Sequence, residues 1–533
     1  MNRTSAASTS AIAAVSFSVA LAVCVTVARG SLSAGFIADD WLFLALGRHL
    51  EDPTALFFAD HSFTYFYRPV GMLVWWLVTR AFGTDPSPQY LVNLVLHCVN
   101  AGLVTVIALR LGCLRTVSVA AGLAFAVHPA TLPPTLWLSD RFDLLVTAFI
   151  LGAILAVTSR LSGRLVLVTA LSCAILASGS KETSVVLVPA VSLALLFEVD
   201  RPLRSRLILV VLIAIAFLPM FAGRAVFVAD VESTLGVSDL AIAMTHGTLD
   251  WFRHFPTALL GFTIHRSVAV LASFVVLILL CAVTWRSLYA NQRVSPLVVG
   301  LATLIPLAAI VQSPVTSTVL IGEAPLNVAA NGRFYYLAIA AVIPLLAIGS
   351  QRFVRARTAW TMVVGLLGAF AIVYFAGRSS VVADEQIRAT LPGTVVARSV
   401  AAQIDAGSIP TNCLVSVVGV PANVAGFNGF ADVAVKALMD RGDRRMSCVI
   451  RTVDGPYYVM TPIPLGGRCL DSDRPELMVR NSHTIPLSAR PIGNLCMRFP
   501  VWLGDGAASA RQHGAIVLVW DEFTGKVARE QTR

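Results

Sequence analysis

Apolar segments alternate with short basic segments along roughly the first two-thirds of the chain, which favours helices that cross a membrane several times. The pattern predicts about eleven membrane-spanning helices, with arginines repeatedly on one side of them. The predicted spans, in chain order, are residues 10–28, 90–109, 117–127, 137–160, 165–177, 185–197, 207–227, 268–284, 296–311, 334–348 and 360–375.

Two shorter segments between the first two spans have a different pattern. Residues 41–50 and 69–82 mix apolar and polar positions in a way that suits helices lying in the membrane interface. The first span is interpreted as an uncleaved anchor, because further spans follow it. The outer stretch from Val228 to Phe262 is predicted as a loop that has room for a re-entrant segment.

The composition agrees with a polytopic membrane protein. Of the 533 residues, 56% are hydrophobic and only 13% are charged, whereas soluble domains carry roughly 25% charged residues. The net charge of +10 comes mainly from arginines in the short loops between spans, a pattern that sets membrane orientation. Nucleic-acid binding is therefore disfavoured, and the N-terminus is predicted to lie inside.

The second predicted span carries three polar residues on one face. Asn93, His97 and Asn100 fall roughly one helical turn apart. Polar residues in that arrangement usually hydrogen-bond to a neighbouring helix. We therefore expect them to hold helices together rather than to take part in catalysis.

The composition changes after Arg378. Residues 379–533 are mixed polar, with short apolar runs separated by Gly and Pro, and they predict a small β-containing soluble domain outside the membrane. The chain is thus divided into a membrane domain, residues 1–378, and this C-terminal domain. Four cysteines of the second domain would suggest disulfides in an oxidising compartment, with the pairing left open: Cys413, Cys448, Cys469 and Cys496.

The stretch from Phe36 to Pro69 places two adjacent carboxylates, Asp39 and Asp40, at the edge of the membrane. An unpaired charge is costly there, so the pair indicates a functional site. Sugar transfer from a phosphate-linked donor needs a base for the acceptor hydroxyl, cations for the leaving phosphate, and a cavity that excludes water. The acids are candidate bases. The candidate phosphate partners, all on the same predicted outer side, are Arg68, Arg141, Lys181 and Arg333.

Several segments in order resemble the GT-C superfamily of polyprenyl-phosphate-sugar glycosyltransferases. Within it, the sequence is most similar to the protein O-mannosyltransferase branch, namely animal transmembrane O-mannosyltransferases with tetratricopeptide repeats and their bacterial relatives. The segments that carry the resemblance are Asp39-Asp40-Trp41, Tyr67-Arg68-Pro69-Val70, residues 90–97, His128-Pro129, Arg141-x-Asp143, Lys181-Glu182 and, more loosely, residues 332–336.

The resemblance implies a mainly α, polytopic membrane helix bundle, an isoprenoid-phosphate sugar donor and an inverting transfer. It also implies that Asp39 is the catalytic base, that Asp40 is a helper or metal contact, and that Lys181 lies near the lipid phosphate. Two departures limit it. Pro133 stands where the family often has Glu, and the repeat domain is absent, so the animal acceptor class is not carried over.

The acceptor or the walls of the cavity are predicted to contact Tyr67, His128, Asp143 and Glu182. No cofactor is firmly indicated. A divalent cation is left open, but two acids alone would hold it loosely, and no His-rich or Cys-rich ligand spacing is present in the sequence. The predicted partners are the polyprenyl-phosphate-linked sugar, membrane lipid and a hydroxyl acceptor that is a protein, a lipid or a cell-wall glycan. The predicted location is the plasma (inner) membrane.

Each candidate also has a purely structural interpretation. The acid pair would cap the following helix, Arg68 would extend along the interface, and His128 would shape a helix end. Further alternatives are an Arg141–Asp143 pair, a Lys181–Glu182 loop pair, a headgroup contact by Arg333, and a solvated loop that carries Asp250, Arg253 and His254.

Two other function classes stay open. A transporter or lipid flippase would be expected to show broken spans or symmetric halves. A non-catalytic envelope scaffold would depend on the C-terminal domain and tolerate replacement of both acids.

Overall fold

The structure is a computed structural model. It describes residues 3–58, 66–227, 237–261, 266–290, 295–319, 332–356, 358–410, 414–420, 427–439, 449–452, 455–462, 489–492, 495–503, 516–521 and 526–529.

Helices dominate the chain as far as residue 405, and each predicted span coincides with a helix. The first nine are α1 (Arg3–Val27), α2 (Asp40–His49), α3 (Ala55–Phe58), α4 (Pro69–Phe82), α5 (Pro86–Arg110), α6 (Arg115–Val127), α7 (Leu132–Thr135), α8 (Arg141–Val157) and α9 (Gly163–Ser178). They are followed by α10 (Leu187–Leu196), α11 (Leu203–Ile215), α12 (Leu218–Phe227), α13 (Val237–Leu260), α14 (Arg266–Ala290), α15 (Ser295–Val319), α16 (Tyr336–Ala356), α17 (Thr358–Asp405) and α18 (Phe427–Leu438).

Six helical segments of the described residues are long and apolar enough to cross a membrane. They are Thr9–Val27, Pro86–Arg110, Leu203–Phe227, Pro296–Ser313, Gly332–Gln351 and Gly365–Asp405, and several shorter apolar helices accompany them. The fold is therefore the predicted polytopic helix bundle. The total of eleven crossings and their direction stay predictions.

The polar face of α5 binds neighbouring segments, as predicted. Asn93 Nδ2 donates to the carbonyl of Thr135 at 3.1 Å, and Asn100 Nδ2 donates to the carbonyl of Leu144 at 3.0 Å. His97 Nδ1 lies 2.7 Å from the hydroxyl of Tyr336 on α16. All three side chains are buried, so these bonds tie α5 to α8 and α16 inside the bundle.

Helix α2 begins where the interfacial helix was predicted, but its surroundings are not lipid. Residues Asp40 to Gly47 are all buried, because α2 packs between α4 and α18. Trp41 meets the ring of Phe427 on α18 at 6.2 Å between ring centroids. The helix that follows the acid pair is thus enclosed by protein on several sides.

The predicted outer loop from Val228 to Phe262 contains a long helix instead. Helix α13 carries Trp251, which is buried and stacks on Phe255 at 5.0 Å between ring centroids. The solvated-loop alternative for this segment is therefore wrong. Residues 228–236 and Phe262 lie outside the described residues.

Helix α17 continues through Arg378, so the change in composition does not coincide with the end of a helix. The domain boundary at this residue stays a prediction. Beyond α17 the chain forms the predicted β structure: β1 (Leu414–Val418), β2 (Val449–Arg451), β3 (Gly455–Pro462), β4 (Ala489–Ile492), β5 (Leu495–Leu503), β6 (Ile516–Asp521) and β7 (Lys526–Arg529).

The strands form two small sheets. One has the order β2-β1-β6-β7, in which β1 runs parallel to β2 and β6, and β7 runs antiparallel to β6. The other is antiparallel, with the order β3-β5-β4. Cys413, Cys448 and Cys469 lie outside the described residues, so the predicted disulfides stay untested.

Candidate active site

The backbone turns sharply just before the acid pair. Ala38 has a φ of +40°, a left-handed conformation that residues other than glycine, Asn and Asp rarely adopt. Backbone strain of this kind persists only where surrounding contacts impose it, and it is concentrated at functional sites. The turn separates the extended segment 34–37 from α2 and sets the direction in which Asp39 and Asp40 leave the chain.

Asp40 is completely buried and its carboxylate is fully engaged. Oδ2 accepts from the amide of Ile37 at 2.9 Å. Oδ1 accepts from the amide of Ser139 at 2.7 Å and from its hydroxyl at 2.5 Å. Burial and the neighbouring Asp39 raise the pKa of Asp40 to about 7. Asp40 therefore joins the first loop to the segment before α8.

Asp39 is only half-buried. Its Oδ1 accepts from the indole nitrogen of Trp137 at 3.1 Å. Burial raises the pKa of Asp39, and the positive charge of Arg333 and the hydrogen bonds oppose that rise. Its side chain makes no capping hydrogen bond to α2, so the interpretation of the pair as a simple helix cap is wrong. Of the two acids, Asp39 is therefore the one with accessible surface.

Arg333 contacts Trp137, the residue that also binds Asp39. Its guanidinium sits 4.1 Å above the ring of Trp137, and its Nη1 is 3.9 Å from Oδ1 of Asp140. Among the residues that the structure describes, none donates a hydrogen bond to the buried Oδ2 atom of Asp140.

Lys181 and Arg68 form a second group of cations. Lys181 Nζ is 2.5 Å from Oδ2 of Asp143. Arg68 binds Glu182 Oε2 through Nε at 2.9 Å and Nη2 at 2.7 Å. The Lys181–Glu182 pair and the Arg141–Asp143 pair are therefore both wrong, since each acid has a different cation.

The segment 137–143 connects the two groups. Trp137 contacts both Asp39 and Arg333, Asp140 lies 3.9 Å from Arg333, and Asp143 binds Lys181 one helical turn further along. The predicted base and two of the predicted phosphate partners therefore all contact side chains at the start of α8.

Arg141 faces a different environment from the other predicted phosphate partners. It is completely buried, with Nε donating to Asn93 Oδ1 at 2.8 Å and Nη2 to Gln89 Oε1 at 3.0 Å. Its guanidinium also lies 4.4 Å above the ring of Trp75. These contacts tie α8 to α4 and α5. A phosphate contact by Arg141 stays a prediction, and the complete burial of the side chain does not support it.

Two of the predicted cavity residues, His128 and Tyr67, form hydrogen bonds to backbone atoms. His128 Nδ1 accepts from the amide of Ala130 at 3.1 Å, and Nε2 lies 2.8 Å from the carbonyl of Leu259. Burial lowers the pKa of His128 to about 4, so the ring is neutral and engaged with backbone. The hydroxyl of Tyr67 donates to the carbonyl of Phe57 at 3.0 Å.

The described residues contain no group of three or more His, Cys, Asp or Glu side chains that could hold a metal ion. The predicted contact between Asp40 and a divalent cation would compete with the bonds that its oxygens already accept. A metal dependence stays untested.

Sequence patterns did not single out Trp137, Ser139 and Asp140 as site residues. They open the predicted span 137–160, where their polar groups could be read as an ordinary helix start. The signal available was a tryptophan followed closely by Ser and Asp at the start of a predicted span. Only the bonds to Asp39 and Asp40, across 98 and 99 residues of chain, show what they do.

Comparison with known proteins gives distant structural similarities. No family model matches the chain. No curated protein matches it either. The structure is similar to that of ArnT from Cupriavidus metallidurans bound to undecaprenyl phosphate, with 14% identity, a TM-score of 0.38, and coverage of 92% of this chain and 99% of ArnT. The apo state of the same ArnT gives 15% identity, a TM-score of 0.36 and coverage of 92% and 98%.

A third similar structure is the archaeal oligosaccharyltransferase AglB from Archaeoglobus fulgidus in complex with an inhibitory peptide and a dolichol-phosphate. It has 14% identity and a TM-score of 0.44, with coverage of 81% of this chain and 64% of AglB. ArnT and AglB are both GT-C superfamily glycosyltransferases. The O-mannosyltransferase branch is not specifically indicated. With TM-scores below 0.5, these similarities do not assign the chain to a family.

Proposed function

We propose that this protein transfers a sugar from a polyprenyl-phosphate donor to a hydroxyl acceptor at the extracytoplasmic face of the membrane, with inversion at the anomeric carbon. One observation carries the proposal. The half-buried carboxylate of Asp39 and the cations Arg333 and Lys181 all contact side chains of residues 137–143 at the start of α8. The sequence resemblance supplies the donor class.

In the proposed reaction, Asp39 is the general base. Its ionised carboxylate takes the proton of the acceptor hydroxyl while the hydroxyl oxygen attacks the anomeric carbon. The bond between that carbon and the lipid phosphate oxygen breaks, and the phosphate leaves with the electron pair. Trp137 holds Asp39 Oδ1 during the step and leaves the rest of the carboxylate to face the acceptor.

The leaving phosphate gains negative charge, and cations at a site that excludes water stabilise that charge. Arg333 and Lys181 each have one acidic partner at the site and a partly exposed side chain, 23% and 17% respectively. Guanidinium and ammonium groups have five and three N–H donors, so donors are left for a phosphate. Arg68, held by Glu182, would supply a third cation.

The orientation follows from the arginines on the opposite side of the predicted spans. A donor lipid would reach the site from the bilayer, since exposed apolar side chains surround the bundle. The acceptor would arrive from the aqueous side, where the C-terminal domain is predicted to lie. The location in a plasma membrane belongs to the same proposal.

The experiment is a complementation assay in the host. Envelope glycans and the glycosylation of secreted proteins are compared among a strain that lacks the protein and strains restored with the wild type, Asp39→Asn or Glu51→Gln. Glu51 is an exposed acid beyond α2, so its variant is the matched control. We expect the wild type and the control to restore one glycan and Asp39→Asn to restore none at equal membrane abundance.

Restoration by Asp39→Asn would remove the proposed base. If the glycans are the same with and without the protein, while proteoliposomes show solute uptake, the transporter alternative replaces the proposal. If deletion of residues 406–533 abolishes the phenotype and replacement of both acids leaves it unchanged, the scaffold alternative replaces it.

A further inference from the structure

Helix α17 holds the backbone that leads to the acid pair. The amide of Gly35 donates to Thr390 Oγ1 at 3.0 Å, and the amide of Phe36 donates to Thr394 Oγ1 at 3.2 Å. The two threonines lie four positions apart, so they occupy one face of the helix. Two successive amides of an extended segment are therefore satisfied by one helix face.

Both threonine side chains are buried, and each also approaches a carbonyl of its own helix. Thr390 Oγ1 lies 3.4 Å from the carbonyl of Ile387, and Thr394 Oγ1 lies 3.4 Å from the carbonyl of Thr390. A hydroxyl that donates to its helix presents its lone pairs to an incoming amide. This directs both oxygens toward Gly35 and Phe36.

The contact is close because residue 35 is a glycine. A Cβ at this position would lie 2.6 Å from the carbonyl oxygen of Thr390 and would also clash with the side chain of Thr394. On the other side of the segment, the hydroxyl of Tyr90 donates to the carbonyl of Gly35 at 2.5 Å. Hydrogen bonds thus hold the segment between α17 and α5 at Gly35, three residues before the strained Ala38.

The same helix reaches the C-terminal domain. Near its end, Gln403 Nε2 donates to the carbonyl of Val527 in β7 at 3.0 Å. After the acid pair, Arg48 Nη1 and His49 Nε2 of α2 lie 2.9 Å from the carbonyls of Ala437 and Lys436 at the end of α18. Elements connected to the C-terminal sheets therefore fix the chain both before and after Asp39.

We propose that Thr390 and Thr394 are positioning residues that hold the segment before Asp39 so that its carboxylate meets the acceptor hydroxyl. The role of Asp39 as base rests on the proposed function, whereas the hydrogen bonds from Gly35 and Phe36 to the two threonines do not depend on it. Misplacement of a catalytic group by about 1 Å can lower a rate roughly 100-fold, so a loosened segment would lower turnover.

Three variants of the full-length protein test this role. Thr390→Val with Thr394→Val removes both hydroxyls with little change in shape, Thr390→Ser with Thr394→Ser keeps them, and Thr303→Val is the control. Thr303 Oγ1 donates to a carbonyl of its own helix, that of Val299, at 2.7 Å, and within the described part of the chain this is its hydrogen bond. Transfer kinetics are measured against pH, and amide hydrogen exchange is measured over residues 34–40.

We expect the double Val variant to lose roughly 10-fold to 100-fold in kcat, with the KM for the donor little changed. Its Gly35 and Phe36 amides should exchange at least about 10-fold faster, because their buried acceptors are gone. The double Ser variant should behave like the wild type in both measurements. A purely structural role would lower the amount of active protein without changing how kcat depends on pH, whereas a misplaced Asp39 should shift the acidic limb.

Wild-type exchange rates at Gly35 and Phe36 in the double Val variant would show that the two threonines do not hold this segment. Faster exchange with wild-type kcat and pH profile would overturn the positioning role. If the wild type transfers no sugar, the proposed function fails, and the exchange data alone decide whether α17 holds the segment.

Discussion

The indole nitrogen of Trp137 lies 3.1 Å from a carboxylate oxygen of Asp39, across 98 residues of chain. The same ring supports the guanidinium of Arg333 at 4.1 Å. Trp137 therefore orients the proposed base through its N–H and a proposed phosphate partner through its ring face. The two roles can be separated, because a phenylalanine keeps an aromatic face and lacks the N–H.

Replacing Trp137 with Phe should lower kcat roughly 10-fold while the protein stays folded. The lost hydrogen bond favours the ionised form of Asp39, so its removal should raise the pKa of Asp39 and move the acidic limb of the pH profile upward. The measurement is kcat against pH in detergent or proteoliposomes. Trp285→Phe is the control, since Trp285 is an exposed side chain on α14. An unshifted limb with wild-type kcat would contradict this role for Trp137.

The ionisation of the acid pair should set the lowest pH at which the protein is active. Burial raises the pKa of both acids above their ordinary value of 3.8, and that of Asp40 to about 7. Because the base must be ionised and burial raises the pKa of Asp39, we expect transfer to fall on acidification at a higher pH than an ordinary aspartate would give. The charge of Asp39 raises the pKa of Asp40, so Asp40 is still protonated and uncharged while Asp39 ionises, and the acidic limb should stay in place in Asp40→Asn. A limb that moves to lower pH in Asp40→Asn would contradict this order of ionisation.

The same raised pKa of Asp40 has a consequence for stability. The protonated acid favours the folded state, so its contribution is complete below pH 3.8 and is lost as the pH rises through about 7. We expect the wild type to lose stability across this range more steeply than Asp40→Asn. Thermal unfolding midpoints of the two proteins, compared at several pH values, measure the difference. Parallel curves would show that Asp40 does not titrate as described.

Lys181→Met should harm both folding and transfer. The change leaves Asp143, a side chain only 8% exposed, without its cation. Breaking a buried ion pair in this way costs about 3–5 kcal/mol of unfolding free energy. Because Lys181 is partly exposed, we expect a loss at or below the lower end of that range. Adding Asp143→Asn should restore most of the stability.

Transfer should stay low in the double variant, because the phosphate cation is still absent. Recovery of wild-type transfer by Lys181→Met with Asp143→Asn would show that Lys181 acts only as the partner of Asp143. Failure to recover stability would contradict the pairing itself.

Arg141→Met should lower stability rather than donor affinity. The substitution removes the hydrogen bonds to Asn93 and Gln89 and leaves buried acceptors unpaired, at a cost of about 1–3 kcal/mol each. We expect a reduced unfolding midpoint and an unchanged donor KM for the protein that remains folded. A large rise in KM at full stability would instead support the predicted phosphate contact.

Most of the apolar helices were predictable from local patterns, but α13 was not. Hydropathy located these helices, since it is a property of a short window of sequence. The polar face of α5 followed from helical spacing alone, and Asp39-Asp40 stood out because a charge pair at a membrane edge is costly. The resemblance to GT-C glycosyltransferases added the donor class and the choice of Asp39.

Tertiary structure alone decided which acid is exposed and which charges pair. Asp39 and Asp40 are neighbours of the same type, and only the bonds of Ser139 and Ile37 bury one of them. Lys181 binds Asp143 across 38 residues and Arg68 binds Glu182 across 114 residues, in preference to nearer charges. Such pairings depend on how separate helices pack, and a sequence window carries no information on the distance between helix ends. Helix α17 continues past the change in composition at Arg378, and this continuity brings Thr390 and Thr394 to the segment that carries the acids. Local composition does not show it.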